Sequence, residues 1–527
     1  MRVLLINPYY PISETPSPPL GLAFLAGALE SAGIHVQILD LVVFPYSRHH
    51  IKQIISEFDP HLVGATAVTM NFSHAASVLE DVRSLAPNVL TVMGGPHVSF
   101  CAQETLTDCP QIDVIVVGEG EETIVELARS YQNRQSWNRI KGLVFRTRDG
   151  IVSTAPRDPI ANLDELTDPA RHLIPLGRYR ALGLPISITT SRGCPFECIF
   201  CVGRKMVGAK VRYRSPGKVV DELAYINSLD FHQINIADDL FTASKKHCLA
   251  ICDEIIHRQL DVQWTSFARV DTVSKSLLKR MKQAGCTAVS FGVESGSPVI
   301  LKTIKKKITL EQVINAVELC NQVGITPQAS FILGLPGENE HTLQETVTFA
   351  ERLKSMGVLH GYHLLAPFPG TDVRENRHQY DLQIMSDNWD DYHANRAIVR
   401  TTAIDQQQLD GIVKEWQDQF DSWLDDIKKR RASGKTTEEE AWPLTNLEHI
   451  ILIYDLMMNS AIEEMGQHAC QTLYPHEEFQ LLVDQIQAKL DCPRDQLQKT
   501  LWYADQKNDL NLVRKNGVCH WEWNNFL

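Results

Sequence analysis

Ile186-Ser187-Ile188-Thr189-Thr190-Ser191-Arg192-Gly193-Cys194-Pro195-Phe196-Glu197-Cys198-Ile199-Phe200-Cys201 is a short apolar strand running into a loop that carries three cysteines within eight residues. The strand, 186–190, opens a regular series. Amphipathic stretches at 216–229, 245–258, 275–284, 310–323 and 342–356 alternate with apolar runs at 233–237, 262–268, 288–293, 328–333 and 361–367. Short apolar strands separated by helical periods form parallel sheets covered by helices. Six such units in order predict a partial (β/α)6 barrel over residues 185–400, with its site at the carboxyl ends of the strands.

Upstream, residues 1–140 alternate in the same way. Strands are predicted at 3–7, 36–40, 62–67, 89–94 and 114–118, and helices at 20–32, 50–58 and 74–85. This is the pattern of a Rossmann-like domain, whose ligands sit beyond the strand carboxyl ends. Residues 141–184, rich in proline and in Asp/Arg, read as a linker. Beyond 400 the period becomes helical, with a long amphipathic helix at 405–431, so residues 401–527 are expected to form a mostly helical region. The chain as a whole is α/β.

The 527 residues carry 51 Lys and Arg against 64 Asp and Glu, a net charge of −13. Such a chain has no global attraction for nucleic acid, and none is expected as a partner. The basic runs Lys305-Lys306-Lys307 and Lys428-Lys429-Arg430-Arg431 read as solvated turns or helix ends. No stretch reaches the roughly 20 apolar residues of a membrane span. The twelve cysteines lack a secretory context, which favours metal ligation over a disulfide scaffold and a cytoplasmic location.

Three thiolates spaced three and then two residues apart can reach three irons of one cubane, leaving the fourth iron open for an exchangeable ligand. Structural zinc wants four ligands, and no neighbouring residue supplies an obvious fourth. The string resembles the radical S-adenosylmethionine (SAM) superfamily. There Cys194, Cys198 and Cys201 would hold a 4Fe-4S cluster, with the SAM amino and carboxylate groups on the open iron. The resemblance maps SAM contacts onto Phe200 in the cysteine loop and onto Asp238 and Asp239 after the second strand. It adds Ser266 and Arg269 at the third, Glu294 at the fourth for the ribose hydroxyls, and Leu333 at the fifth behind the adenine. Other cysteines, including the Cys248/Cys252 pair, read as packing residues, and Cys286, Cys320, Cys470, Cys492 and Cys519 are assigned no chemistry.

A Rossmann-like domain ahead of such a barrel is similar to the cobalamin-binding radical SAM class. The matching stretches are Pro18-Pro19-Leu20-Gly21-Leu22, Gly94-Gly95-Pro96-His97-Val98 and Val117-Gly118-Glu119-Gly120-Glu121. By that resemblance Thr66, Thr69, Gly94, Gly95, His97, Gly118 and Glu119 would contact cobalamin. The D-x-H-x-x-G string whose histidine ligates cobalt in many cobalamin proteins is missing, so the lower axial ligand is left open. Cys101 and Cys109 are too few to hold a second cluster in this domain.

The resemblance implies an anaerobic, cytoplasmic enzyme fed by a flavodoxin- or ferredoxin-type donor of low-potential electrons. It would cleave SAM to a 5′-deoxyadenosyl radical and, with methylcobalamin, methylate an unactivated carbon of a small molecule or peptide. Radical oxidation or cyclisation without methyl transfer, as in the anaerobic magnesium-protoporphyrin ester cyclases, is the alternative. A non-catalytic cobalamin sensor is a third reading, with no need of the cysteine triad. The region beyond 400, with Trp416, Trp423, Trp442, Trp502, Trp521 and Trp523, is expected to help enclose the substrate or to pack as core, and Trp389 lies just ahead of it.

Overall fold

The computed structural model describes residues 1–9, 17–231, 233–469, 475–515 and 517–524. Cys470 and the last three residues of the aromatic carboxyl end lie outside them. The first sheet has seven strands: β1 (Arg2–Asn7), β2 (His35–Asp40), β3 (Leu62–Thr66), β4 (Leu90–Gly94), β5 (Val114–Val116), β6 (Leu143–Thr147) and β7 (Gly150–Ser153). Their order is β2-β1-β3-β4-β5-β6-β7. β1 to β5 are parallel and apolar on both faces, as a sheet sandwiched by helices requires. The order reverses direction between β1 and β3, which opens a crevice at their carboxyl ends.

Part of the predicted linker belongs to this sheet. Residues 143–153 form a hairpin that adds β6 antiparallel to β5 and β7 antiparallel to β6. Leu143, Val144 and Phe145 are buried, and Phe145 meets Trp137 edge-on at 5.3 Å. Further along, the helix Leu176–Ala181 is also buried. The first unit therefore extends past residue 140.

The second sheet holds β8 (Ile186–Ile188), β11 (Gln233–Ile236), β12 (Gln263–Ala268), β13 (Cys286–Glu294), β14 (Thr326–Leu333) and β15 (Leu359–Leu364). All six are parallel, in the order β15-β14-β13-β12-β11-β8. A short antiparallel pair, β9 (Ser191–Arg192) with β10 (Arg212–Tyr213), brackets the cysteine loop. Helix starts are fixed by side-chain caps, for example Thr309 with Gln312 and Asn339 with Thr342.

Strand periodicity separates two faces. Trp264, Ser266 and Ala268 of β12, Phe331 and Leu333 of β14, and Tyr362 and Leu364 of β15 are buried on the helix-covered side. Tyr362 there meets Trp416 of the helix Gln406–Ala432. Thr265, Phe267, Ser290, Gly292, Gln328, Ser330, Ile332 and His363 alternate with them and line the barrel interior.

The carboxyl-terminal region is mostly helical. After the short pair β16 (Gln383–Ile384) and β17 (Val399–Arg400), it also contains a three-stranded antiparallel sheet of β18 (Gln467–Ala469), β19 (Leu510–Lys515) and β20 (Val518–Trp523). Trp521 and Trp523 are buried core residues. No helix among the described residues is long and apolar enough to cross a membrane.

Candidate active site

The cysteine loop is held from below. Asp238, two residues beyond the end of β11, is almost fully buried. Its carboxylate accepts hydrogen bonds from the Thr190 N–H (2.6 Å), the Thr190 hydroxyl (2.6 Å) and the Ser191 hydroxyl (2.6 Å). Burial raises its pKa, and these bonds offset part of that cost. Both Asp238 oxygens are thus engaged in fixing the start of the loop. Asp239 instead faces the cavity beside the loop. A Cβ on Gly203 would come within 2.9 Å of its Oδ1 and 3.5 Å of the Cys201 Sγ.

Above the loop, Arg269 stacks its guanidinium 3.6 Å from the Phe196 ring centroid. It donates twice to Asp271 (3.0 Å each) and once to the Lys306 carbonyl (2.9 Å), while its Nη1 is buried with no partner. A buried cationic N–H without an acceptor fits an incoming carboxylate. The Ile199 N–H donates to the Ile304 carbonyl (3.2 Å), and the Val373 N–H to the Ile199 carbonyl (3.1 Å). Cys198 is half-buried. Burial pushes its thiol up, and the nearby charges of Lys306 and Arg269 pull it back.

Among the described residues no three His, Cys, Asp or Glu side chains form a cage for a single metal ion. A cubane asks for something different, since it takes its thiolates at three separate irons. Cys194, Cys198 and Cys201 lie on one loop, near enough for the first two to raise the pKa of the third.

Glu294 ends β13 with a left-handed backbone (φ 71°), after a register shift between Gly292 and Glu294. A non-glycine residue held there costs on the order of 1–3 kcal/mol, which the surrounding packing must offset. Its carboxylate folds over Gly292 on the interior face and accepts from the Lys306 Nζ (2.7 Å). Lys306 is itself buried, which corrects its reading as part of a solvated basic run. Ser266 and Leu333 point into the helix layer, so the strand period removes their side chains from the interior, where Phe267 and Ile332 stand instead. Phe200 is half-buried against the core of the barrel.

The first domain opens toward this loop through a cavity of about 390 Å³. Its floor is Leu5, Gly64, Val92 and Val116 at the strand ends. Gly94, Gly118 and Thr66 form its rim, and Thr189, Ser191, Met206 and Asp239 close it from the barrel. Gly118 has nothing within 4 Å of where a Cβ would stand, and at Gly94 the nearest atom is 3.6 Å away, so both leave open space at the cavity. Gly95 also lines the cavity, and its φ of +105° with the Ala67 backbone 2.6 Å from a Cβ demands glycine there. A cavity with glycines at the strand carboxyl ends fits a nucleotide-like tail.

His97 and Thr69 do not line that cavity. The His97 ring is buried between Phe72 (4.3 Å) and Trp389 (4.7 Å), with its Nδ1 3.2 Å from the Thr69 hydroxyl. Burial, aided by the Arg374 charge, lowers its pKa to about 4. It locks the first domain to the segment after the barrel. Glu119 does line the cavity, and its carboxylate is also engaged. It accepts from Arg212 (2.7 and 3.0 Å) and from the Ile160 N–H (2.8 Å), and Arg192 lies 3.5 Å away. Burial pushes Glu119 up, but these cations and hydrogen bonds outweigh it and the net shift is downward. Arg192 also meets Glu121 at 2.7 Å, so the loop 118–121 clasps β9 and β10 across the two domains.

The B12-binding domain family matches residues 13–128, and the radical SAM superfamily matches residues 188–350. An uncharacterised methyltransferase of Pyrococcus horikoshii is 34% identical over 422 residues, covering 79% of this chain and 91% of that protein. The anaerobic magnesium-protoporphyrin IX monomethyl ester cyclase of Cereibacter sphaeroides is 31% identical over 434 residues, covering 79% and 70%. Among solved structures, the cobalamin-dependent SAM radical enzyme OxsB superposes with a TM-score of 0.69 at 19% identity, over 96% of this chain and 84% of that one. The radical SAM methyltransferase TsrM from Kitasatospora setae, solved with cobalamin and a 4Fe-4S cluster, gives 0.63 at 23% identity over 73% and 81%. With both family domains in the order found here, and with relatives matched over most of their length, the chain belongs to the cobalamin-binding radical SAM enzymes, whose cofactors are cobalamin, SAM and a 4Fe-4S cluster.

Proposed function

We propose that the protein is a methyltransferase that moves a methyl group from cobalamin to a substrate carbon activated by a SAM-derived radical. The observation that carries this reading is a shared cavity: the glycine rim of the first sheet and the residues flanking the cysteine loop, Ser191, Arg192, Met206 and Val207, line the same space. When bound, the cluster and cobalamin supply a 5′-deoxyadenosyl radical and a methyl group. The chain's own residues set the geometry. Cys194, Cys198 and Cys201 hold the cluster. Arg269 meets the SAM carboxylate through its unpartnered Nη1, Glu294 takes the ribose hydroxyls, and Asp239 stands at the cluster side of the cavity. Gly94, Gly118 and Thr66 receive the cobalamin tail. The interior residues Phe267, Gln328, Ser330 and His363 form the wall on which the substrate rests. A flavodoxin or ferredoxin in the cytoplasm supplies the electron.

The similarity to a methyltransferase over most of its length supports methyl transfer, and the similarity to the cyclase supplies the competing outcome. Anaerobic reconstitution with cobalamin, methyl-labelled SAM and a cell-extract fraction as substrate source separates them. Methyl transfer gives label in product, with both 5′-deoxyadenosine and S-adenosylhomocysteine formed. A ring-closing or oxidising enzyme gives 5′-deoxyadenosine with no label in product.

A further inference from the structure

Lys306 is the one lysine among the described residues whose side chain is buried. It sits in a turn after the helix Pro298–Thr303, and both its neighbours, Lys305 (φ 56°) and Lys307 (φ 55°), are left-handed. A run of three lysines would ordinarily spread into solvent. Here the backbone is bent on both sides of the middle residue, and that residue is turned inward. Its carbonyl is held by Arg269 (2.9 Å), and the Ile304 carbonyl two residues earlier accepts from the cysteine loop. Its ammonium meets only one of the two Glu294 oxygens, at 2.7 Å. The other oxygen has no hydrogen bond among the described residues. Gly292 makes room for the pair, since a Cβ there would run into the Glu294 carboxylate and come within 3.0 Å of the Lys306 Nζ.

We propose that Lys306 is a positioning residue: it fixes one oxygen of Glu294 so that the other is presented, already oriented, to the ribose of SAM. This rests on the reading of the barrel mouth as a SAM site. A carboxylate anchored by one oxygen is pre-organised, and loses less freedom when the second oxygen is taken by a ligand hydroxyl. The turn also ties three parts together, because the same four residues touch the cysteine loop, Arg269 and Glu294. SAM recognition by the carboxylate-binding arginine and by the ribose-binding glutamate is thereby built on one turn.

The test measures the dissociation constant of SAM, and of a 2′,3′-dideoxyribose analogue of SAM, for cluster-loaded protein under anaerobic conditions. In the wild type, SAM should bind about tenfold tighter than the analogue, the value of a charge-assisted hydrogen bond. K306M should weaken SAM about tenfold while leaving the analogue nearly unchanged, E294Q should do the same, and the double variant should be no worse than either alone. K306R, which keeps the charge, should recover most of the affinity. Thermal unfolding of each variant identifies any that misfold, and K306R against K306M then decides between folded proteins. Equal loss of SAM and analogue in K306M, or additive losses in the double variant, would overturn the role of Lys306 while leaving the SAM site intact. Wild-type protein that carries the cluster and binds no SAM would overturn the reading of the site itself.

Discussion

Glu338 shows how the end of β14 is shaped. It is fully buried, and one of its oxygens accepts from the Gly334 N–H (2.6 Å) and the Leu335 N–H (3.0 Å), while the other has no partner. Burial raises its pKa to about 8, against the pull of those two backbone donors. The folded state therefore binds a proton that the unfolded state releases near pH 4.5. Stability from this group is complete below that point and declines as pH rises toward 8, by on the order of 5 kcal/mol. A glutamine can keep the oxygen that accepts both N–H groups and places a neutral amide where the orphan oxygen stands. E338Q should flatten the fall in melting temperature between pH 5 and 8, and an unchanged slope would show that Glu338 does not titrate there. At this scale the cysteine spacing stands out in the sequence because three spaced thiolates suit little else. Lys306 does not, because nothing in Lys305-Lys306-Lys307 distinguishes a buried lysine from a solvated one. His97 was found by motif, yet its side chain serves a domain joint, and Glu119 both lines the cavity and binds Arg212 across the domains, an arrangement that only tertiary contacts reveal.

At the scale of elements, the strand period decided which residues reach the interior. The resemblance put Ser266 and Leu333 at the right strand ends, and the two-residue alternation of β12 and β14 turns both toward the helices. Counting parity from Trp264, a large apolar residue bound to be buried, would have favoured Phe267 over Ser266. The hairpin of β6 and β7 also had a signal, since Asp149-Gly150 lies between two β-prone runs. It was overlooked because the prolines and charges of the following segment dominate its composition. Gly94 should be intolerant of size: G94V is expected to keep its fold by circular dichroism and to lose most bound cobalamin, read as the corrin absorbance of reconstituted protein. Retention of wild-type cobalamin would move the tail site elsewhere. The clasp between loop 118–121 and β10 is a buried ion pair, and breaking it from one side strands the partner charge. R212M should destabilise the protein by about 3 kcal/mol, measured by chemical unfolding, and a change below 1 kcal/mol would mean that the two domains do not rely on it.

At the scale of the whole molecule, the sequence pattern gave the succession of sheet, barrel and helices, and left open where the last part sits. Its final segments pack at the end of the barrel opposite the cysteine loop. Arg180, in the helix leading into β8, reaches Asp509 (2.5 Å) and the Asn508 carbonyl (2.8 Å). It also contacts the carbonyl of Leu229 (3.3 Å), just ahead of β11. Glu463 pairs with Arg178 of the same helix. Among the described residues of 438–524, these contacts lie at the amino ends of β8 and β11, in keeping with the alternative that this region packs as core. Trp502 is 55% exposed on this far end, so W502A should leave the rate of 5′-deoxyadenosine formation within twofold of wild type, and a larger loss would place that surface in the catalytic assembly. The central claim concerns the opposite end, where three thiolates leave one iron for SAM. Electron paramagnetic resonance of the reduced, anaerobically reconstituted protein tests it most directly. The account expects a 4Fe-4S signal whose shape changes when SAM is added and that is lost in C198A. A signal indifferent to SAM, or one that survives that substitution, would contradict it.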